Sequence, residues 1–388
     1  MHLPAIRRAQ TSGTVASMPD RVDRPVLKAS GVILPSGERR DLFVVDGHLT
    51  YDVGPATADA ASLTDSLGDT WIVPGLVDAH CHIGLDEHGA VPDEVSEAQA
   101  ITDRDAGTLL VRDAGSAADT RWIDERDDLP RVIRAGRHLG RPKRYIRNYA
   151  HEIEPDELPA YVAQEAERGD GWVKLVGDWI DREVGDLAPC WPLDALRAAM
   201  DIAHAHGARV TAHVFGHEAL PDLFEAGIDC IEHGTGLTPD LIDSMVAHRI
   251  ALVPTVRQLD LFPDYAAAGE ERFPAYAARM RELHARHKGT LRAAYDAGVS
   301  IYAGTDAGGV LPHGLIGEEV LALADVGLSP ADALGAASWH ARPWLGRPGG
   351  NLDEGDPADF VVYDADPLED LAVLKHPKRI VLRGAVIS

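Results

Sequence analysis

Cysteine is scarce in this sequence: Cys81, Cys190 and Cys230 are the only three in 388 residues. An odd, sparse set makes no disulfide framework and fits a reducing compartment. No CxxC pair occurs, so a thiolate zinc site is not expected. Long apolar runs are also missing, and none approaches the ~20 residues of a membrane-spanning helix. The opening MHLPAIRRAQTSG lacks the apolar stretch of a signal peptide. Positive charge is short as well: 37 Lys and Arg against 62 Asp and Glu leave a net charge of −25. Such a surface repels phosphate backbones and anionic lipid, which argues against nucleic-acid and membrane partners. The expectation is a soluble cytoplasmic protein acting on a small molecule, with residues 1–24 as a loose tail.

Apolar residues make up 45% of the chain, enough for a large core. The length suits one large barrel plus a small accessory domain. Residues 25–71 read as β-structure, with strand-like runs at Val26–Leu34 and Asp41–Val45 and a hairpin signal at Asp46-Gly47. Residues 350–388 repeat this character at Asp359–Tyr363 and Arg379–Leu382. Together the two ends predict one small β-sandwich, because chain termini often lie close together.

Between them, over residues 72–349, short apolar strands alternate with amphipathic helices. The predicted strands are Ile72–Ala79, Thr108–Arg112, Arg131–Ala135, Trp172–Val176, Arg209–His213, Cys230–His233, Ala251–Val256 and Ser300–Ala303. Helices are predicted at Pro192–His206, Pro239–Ala247 and Phe273–Ala297, and Gly207, Gly227 and Gly298 follow helix ends as C-caps do. Eight strand–helix units give an α/β fold, a (β/α)8 TIM barrel, more readily than an open sheet.

Potential ligands stand at the ends of these strands. The first ends Asp78-Ala79-His80-Cys81-His82, and residues two apart on a strand point the same way. The fourth carries Lys174, the fifth ends in His213, the sixth in His233, and the eighth runs into Gly304-Thr305-Asp306. Taken singly, each has a plainer reading. A lone strand-end histidine is more often a packed core residue, Lys174 can snorkel, and Asp306 can cap a turn. Jointly they fall on the one barrel face where active sites are built, and that pattern points to metal.

These segments carry a resemblance. Pro74-Gly75-Leu76-Val77-Asp78-Ala79-His80-Cys81-His82 resembles the opening motif of the amidohydrolase superfamily. Gly171-Trp172-Val173-Lys174-Leu175 is similar to the lysine motif of its prolidase-like and imidazolonepropionase-related members. Thr211-Ala212-His213, Ile231-Glu232-His233-Gly234-Thr235 and Ala303-Gly304-Thr305-Asp306 complete the set, and residues 353–360 look like the usual return into the accessory domain. A lysine ammonium has donors only and cannot ligate a cation. The resemblance implies that carbon dioxide carbamylates Lys174, giving an anionic bridge between two divalent ions, zinc by default. His80, His82 and Asp306 would then hold one ion and His213 and His233 the other. A hydroxide would lie between the ions, and Asp306 would carry the proton to the leaving nitrogen. The alternative is an unmodified Lys174 beside a single metal.

The implied activity is hydrolysis of an amide or peptide-like C–N bond in a small molecule. Deamination of a cyclic imine or amidine, or lactone opening, would use the same nucleophile. A non-catalytic scaffold is disfavoured because every expected ligand position is filled. Five cations lie within residues 137–147, in the loop after the third strand. Most read as a solvated basic segment, with Arg144 and Tyr145 as candidate substrate contacts. Arg257, and His313 by the resemblance, are candidates from later loops. Related barrels often associate, so a homo-oligomer is in keeping with the resemblance.

Overall fold

Strands covered on both faces read as continuous apolar runs, and the helices over them are apolar on one side. In the computed structural model, which describes residues 26–52, 54, 60–65 and 67–388, these runs form parallel strands. They are Leu76–Cys81, Thr108–Asp113, Arg131–Arg134, Trp172–Val176, Arg209–Val214, Cys230–His233 and Ala251–Val253. The first three pair in one arc and the last four in another, with Leu139–Gly140 joining the second arc beside Leu175. The predicted strand Ser300–Ala303 is reduced to a parallel bridge between Leu252 and Ile301. It then crosses to the first strand, where Ala79 N donates to Ala303 O at 2.8 Å and Asp306 N to His80 O at 2.7 Å. The result is a TIM-barrel-like α/β fold in which, among the described residues, no continuous ladder closes the ring.

The expected helices are present as Leu193–Ala205, Pro239–His248 and Pro274–Ala297. Gly298 caps the last of these at φ 90°, a left-handed conformation that glycine adopts without a Cβ clash. Residues 255–273 are mostly helical, at Val256–Leu259 and Phe262–Gly269. The buried Glu319 carboxylate explains the first turn: it accepts from Val256 N at 2.7 Å and Arg257 N at 3.0 Å. Both are amino-terminal donors that a helix leaves without internal partners.

The two chain ends meet, but as one sheet rather than the expected sandwich. Leu27–Ile33 pairs antiparallel with Glu38–Val45 and parallel with Trp71–Pro74, which in turn pairs antiparallel with Phe360–Tyr363. Alternation along the strand divides its side chains between two cores. Phe360 and Val362 join Leu42, Val44 and Ile72 in a separate cluster, while Val361 and Tyr363 enter the main barrel core. One face therefore packs on the barrel, which takes the place of a second sheet. The segment expected as a single strand, Ile72–Ala79, is two: Trp71–Pro74 serves the terminal sheet and Leu76–Cys81 opens the barrel. The tail expected over residues 1–24 lies outside the described residues. Among the described residues no helix is long and apolar enough to cross a membrane.

Gly304 sits where the eighth segment passes the first strand. A Cβ there would lie 2.5 Å from Val253 Cγ1 and 2.6 Å from His80 Cβ. Gly304→Ala is expected to cost about 1–3 kcal/mol in chemical denaturation, the range for overpacking a filled core. An unchanged unfolding midpoint would show that this segment can move off the first strand.

Candidate metal centre

The two histidines of the first strand and the aspartate after the eighth segment meet at one point. His80 Nε2 lies 3.2 Å from His82 Nε2, and each is 3.1 Å from Asp306 Oδ1. His82 Nδ1 is 2.8 Å from the Gly115 carbonyl, which can only accept, so Nδ1 carries the proton. In the neutral ring, the form that binds metals, Nε2 then carries a lone pair that faces the Asp306 carboxylate. Two acceptors this close repel unless something positive lies between them. These residues thus fit a cation, and all three are largely buried. Burial opposes charge on Asp306, and without a metal it is His80 and His82, as positive or N–H-donating rings, that hold its carboxyl well below the usual range.

His213 and His233 form a second pair beside the first. His233 Nε2 is 3.0 Å from His213 Nδ1, and the His80 and His233 ring centres are 5.5 Å apart. Burial pushes His213 well below the ordinary imidazole range and His233 down to about 3. His80 is lowered for the same reason. Neutral rings with free lone pairs are the form that binds metals. His213 Nε2 is buried with no partner.

Lys174 reaches the same interior, but its Nζ is hydrogen-bonded to Glu232. Both side chains are fully buried. The Glu232 carboxylate also accepts from Thr211 Oγ1 at 2.8 Å and from Arg112 at 3.3 Å, and faces His80 Nδ1 at 3.6 Å. Burial alone would raise the Glu232 carboxyl; His80, Lys174 and Arg112 hold it well below its usual range. Glu232 was not foreseen as a site residue, although it stands inside one of the motifs that carried the resemblance.

The backbone around the cluster is bent to present these groups. His233, Thr255 and Asp306 have φ values of 66°, 49° and 57°, left-handed conformations that side chains with a Cβ seldom adopt. Such strain persists only where the surroundings over-determine it. Here Thr255 Oγ1 sits 2.7 Å from His233 Nδ1. Asp78 accepts from His80 N, Thr305 N and Thr305 Oγ1, which ties the first strand to the segment bearing Asp306. Burial raises the Asp78 carboxyl to about 7.

The expected substrate contacts divide. Tyr145 lines a cleft of about 520 Å³ that opens over His82, His213 and Asp306. Arg144 does not line it: its guanidinium donates to Ala188 O at 2.9 Å and pairs with Asp181 at 3.5 Å. Arg257 does not line it either and pairs with Asp260 at 2.6 Å. His313 is drawn behind the first strand, beside Cys81, by Asp103 at 2.8 Å. In each case a nearby carboxylate holds the side chain off the cleft wall. His138 was not foreseen. It is buried between His82 and Tyr145, with ring centres 5.2 and 5.1 Å away, and neither of its nitrogens has a partner. The sequence carried no signal for it, because it stands within the basic run.

Breaking a buried ion pair leaves the partner charge uncompensated, at about 3–5 kcal/mol. Glu232→Gln is therefore expected to lower the unfolding free energy of the metal-free protein by about 3 kcal/mol. A loss under about 1 kcal/mol would contradict the pairing of Glu232 with buried Lys174 and Arg112 charges.

Comparison with known proteins agrees with this geometry. The profile of the amidohydrolase family matches residues 71–387. The uncharacterized protein Rv2915c of Mycobacterium tuberculosis is 56% identical over 360 residues, covering 92% of this chain and 95% of that protein. The imidazolonepropionase of Chromobacterium violaceum is 26% identical over 399 residues, covering 90% and 91%. Among solved structures, a Xaa-Pro dipeptidase with methionine bound in its active site superposes with a TM-score of 0.78 at 21% identity, covering 94% of this chain and all of that one. The chain belongs to the amidohydrolase family and is a hydrolase of carbon–nitrogen bonds.

Proposed function

We propose that this protein is a metal-dependent amidohydrolase that cleaves an amide or peptide-like bond in a small molecule. The observation that carries this reading is the meeting of His80, His82 and Asp306 acceptor atoms within 3.2 Å of one another at the floor of the cleft. His80, His82 and Asp306 would hold one divalent ion and His213 and His233 a second. A nitrogen- and oxygen-rich set of this kind suits zinc. Bound there, the ions would supply Lewis acidity, which lowers the pKa of water toward about 7 and polarises a carbonyl.

Lys174 would join the centre as a carbamate. The unpartnered nitrogens of His138 support this, because carbamate oxygens would bring them an acceptor in a buried place that has none. Glu232 would keep Arg112 and Thr211 as partners after losing the ammonium. Asp306 is the proton carrier. Its side chain is 15% exposed and lines the cleft, so it can take a proton from the attacking water and deliver it to the departing nitrogen. No serine or cysteine nucleophile is needed: Cys81, Cys190 and Cys230 are all buried, and burial raises each thiol.

The test is amine release from dipeptides, N-acyl amino acids and cyclic amides by the metal-loaded protein, before and after chelation. Asp306→Asn should keep the fold and lose turnover by about 10²–10⁴-fold, the usual contribution of acid–base catalysis. Hydrolysis that survives both complete metal removal and this substitution would end the reading.

A further inference from the structure

The cleft has a composition of its own. Seven aromatic side chains line it: Tyr145, Tyr149, Trp179, Phe215, Tyr265, Phe273 and Tyr276. They come from four separate stretches of chain, so no single helix or strand periodicity placed them together. Several are locked edge-to-face with each other and with a candidate ligand. Tyr145 meets Trp179 at 4.8 Å and 67°, and Phe215 meets His213 at 4.3 Å and 61°. The polar tip of Tyr265 is engaged, since Gln258 donates to its hydroxyl at 2.7 Å. Most of the surface facing the cavity is apolar, ring faces above all. A volume of about 520 Å³ with such walls suits a flat apolar group and penalises a hydrated one, which would lose its water without gaining partners.

Charge is confined to the floor and the rim. Glu87 and Arg272, both exposed, join Asp306 as the charged residues lining the cleft, and Arg272 is its sole lysine or arginine among the described residues. The Arg272 guanidinium carbon lies 5.0 Å from the centre of the Phe273 ring. A cation resting on an aromatic ring beside an apolar cavity can receive a carboxylate in bidentate fashion.

We infer that the substrate is an N-acyl amino acid or dipeptide whose aromatic ring fills this cleft and whose free carboxylate pairs with Arg272. The inference rests on the amide-hydrolase reading above and narrows it. The ring lies against Tyr145, Trp179 and Phe273, the scissile amide over Asp306, and the carboxylate at the rim.

The experiment compares N-(2-naphthoyl)glycine, N-acetylphenylalanine, N-acetylglycine and the carboxylate-free N-methyl-2-naphthamide on the metal-loaded enzyme. Calorimetric binding of the same four compounds to chelated enzyme runs alongside. At least one of the two aromatic acids should exceed N-acetylglycine by tenfold or more, in kcat/KM and in affinity. Arg272→Met keeps the apolar stem and removes the charge. It should raise KM for the aromatic acids by about tenfold at unchanged kcat, and leave N-methyl-2-naphthamide unaffected. Equal treatment of acetyl and aromatic compounds, or an Arg272→Met effect that ignores the carboxylate, overturns the inference while any amide turnover leaves the broader reading standing. If none of the four is hydrolysed, the amide reading fails for them, and the inference then falls with a binding series that shows no aromatic preference.

Discussion

His82 Nε2 and Asp306 Oδ1 come from positions 224 residues apart in the chain, yet they sit 3.1 Å from each other in a largely buried site. With the ring in its neutral, metal-binding form, electron pairs placed so close repel strongly unless a cation stands between them. Much of the surrounding architecture keeps them in place against that repulsion. Asp78 fastens the first strand to Thr305, Gly304 lets the eighth segment approach the first strand closely, and the Gly115 carbonyl fixes the His82 tautomer.

A second burden lies beneath. Lys174, Arg112 and Glu232 are charged groups with no exposed surface, and such groups are retained only where they are paired. Arg112 is held further by the Ala79 carbonyl and by the Trp172 ring, 4.5 Å from its guanidinium carbon. The charges under the site are therefore anchored to the same first strand that carries His80 and His82. Changes in the charge of Lys174 would be felt at His80 through Glu232, which faces both.

Much of this was legible in the sequence because polar residues at the ends of apolar strands have few structural reasons to be there. His80, His82, His213, His233 and Asp306 could each be placed at a barrel mouth by strand order alone. Glu232 could not. Alternation assigns it the face opposite Ile231 and His233, and only the left-handed turn at His233 brings the glutamate and the histidine to the same centre. The positions of Arg144 and His313 could not be read from the sequence, because their partners, Asp181 and Asp103, are remote in it. The single terminal sheet was hidden for a related reason. A continuous apolar run such as Phe360–Tyr363 states that both faces of a strand are covered, without stating that a barrel covers one of them.

The proposed hydrolysis at this site requires cations at the point where these ligand atoms meet. Crystals of the protein prepared with zinc, with diffraction collected on both sides of the zinc absorption edge, test that directly. The prediction is anomalous density within coordination reach of His80, His82 and Asp306, and a second peak at His213 and His233. Fully occupied zinc elsewhere with none at His80, His82 and Asp306 would contradict it.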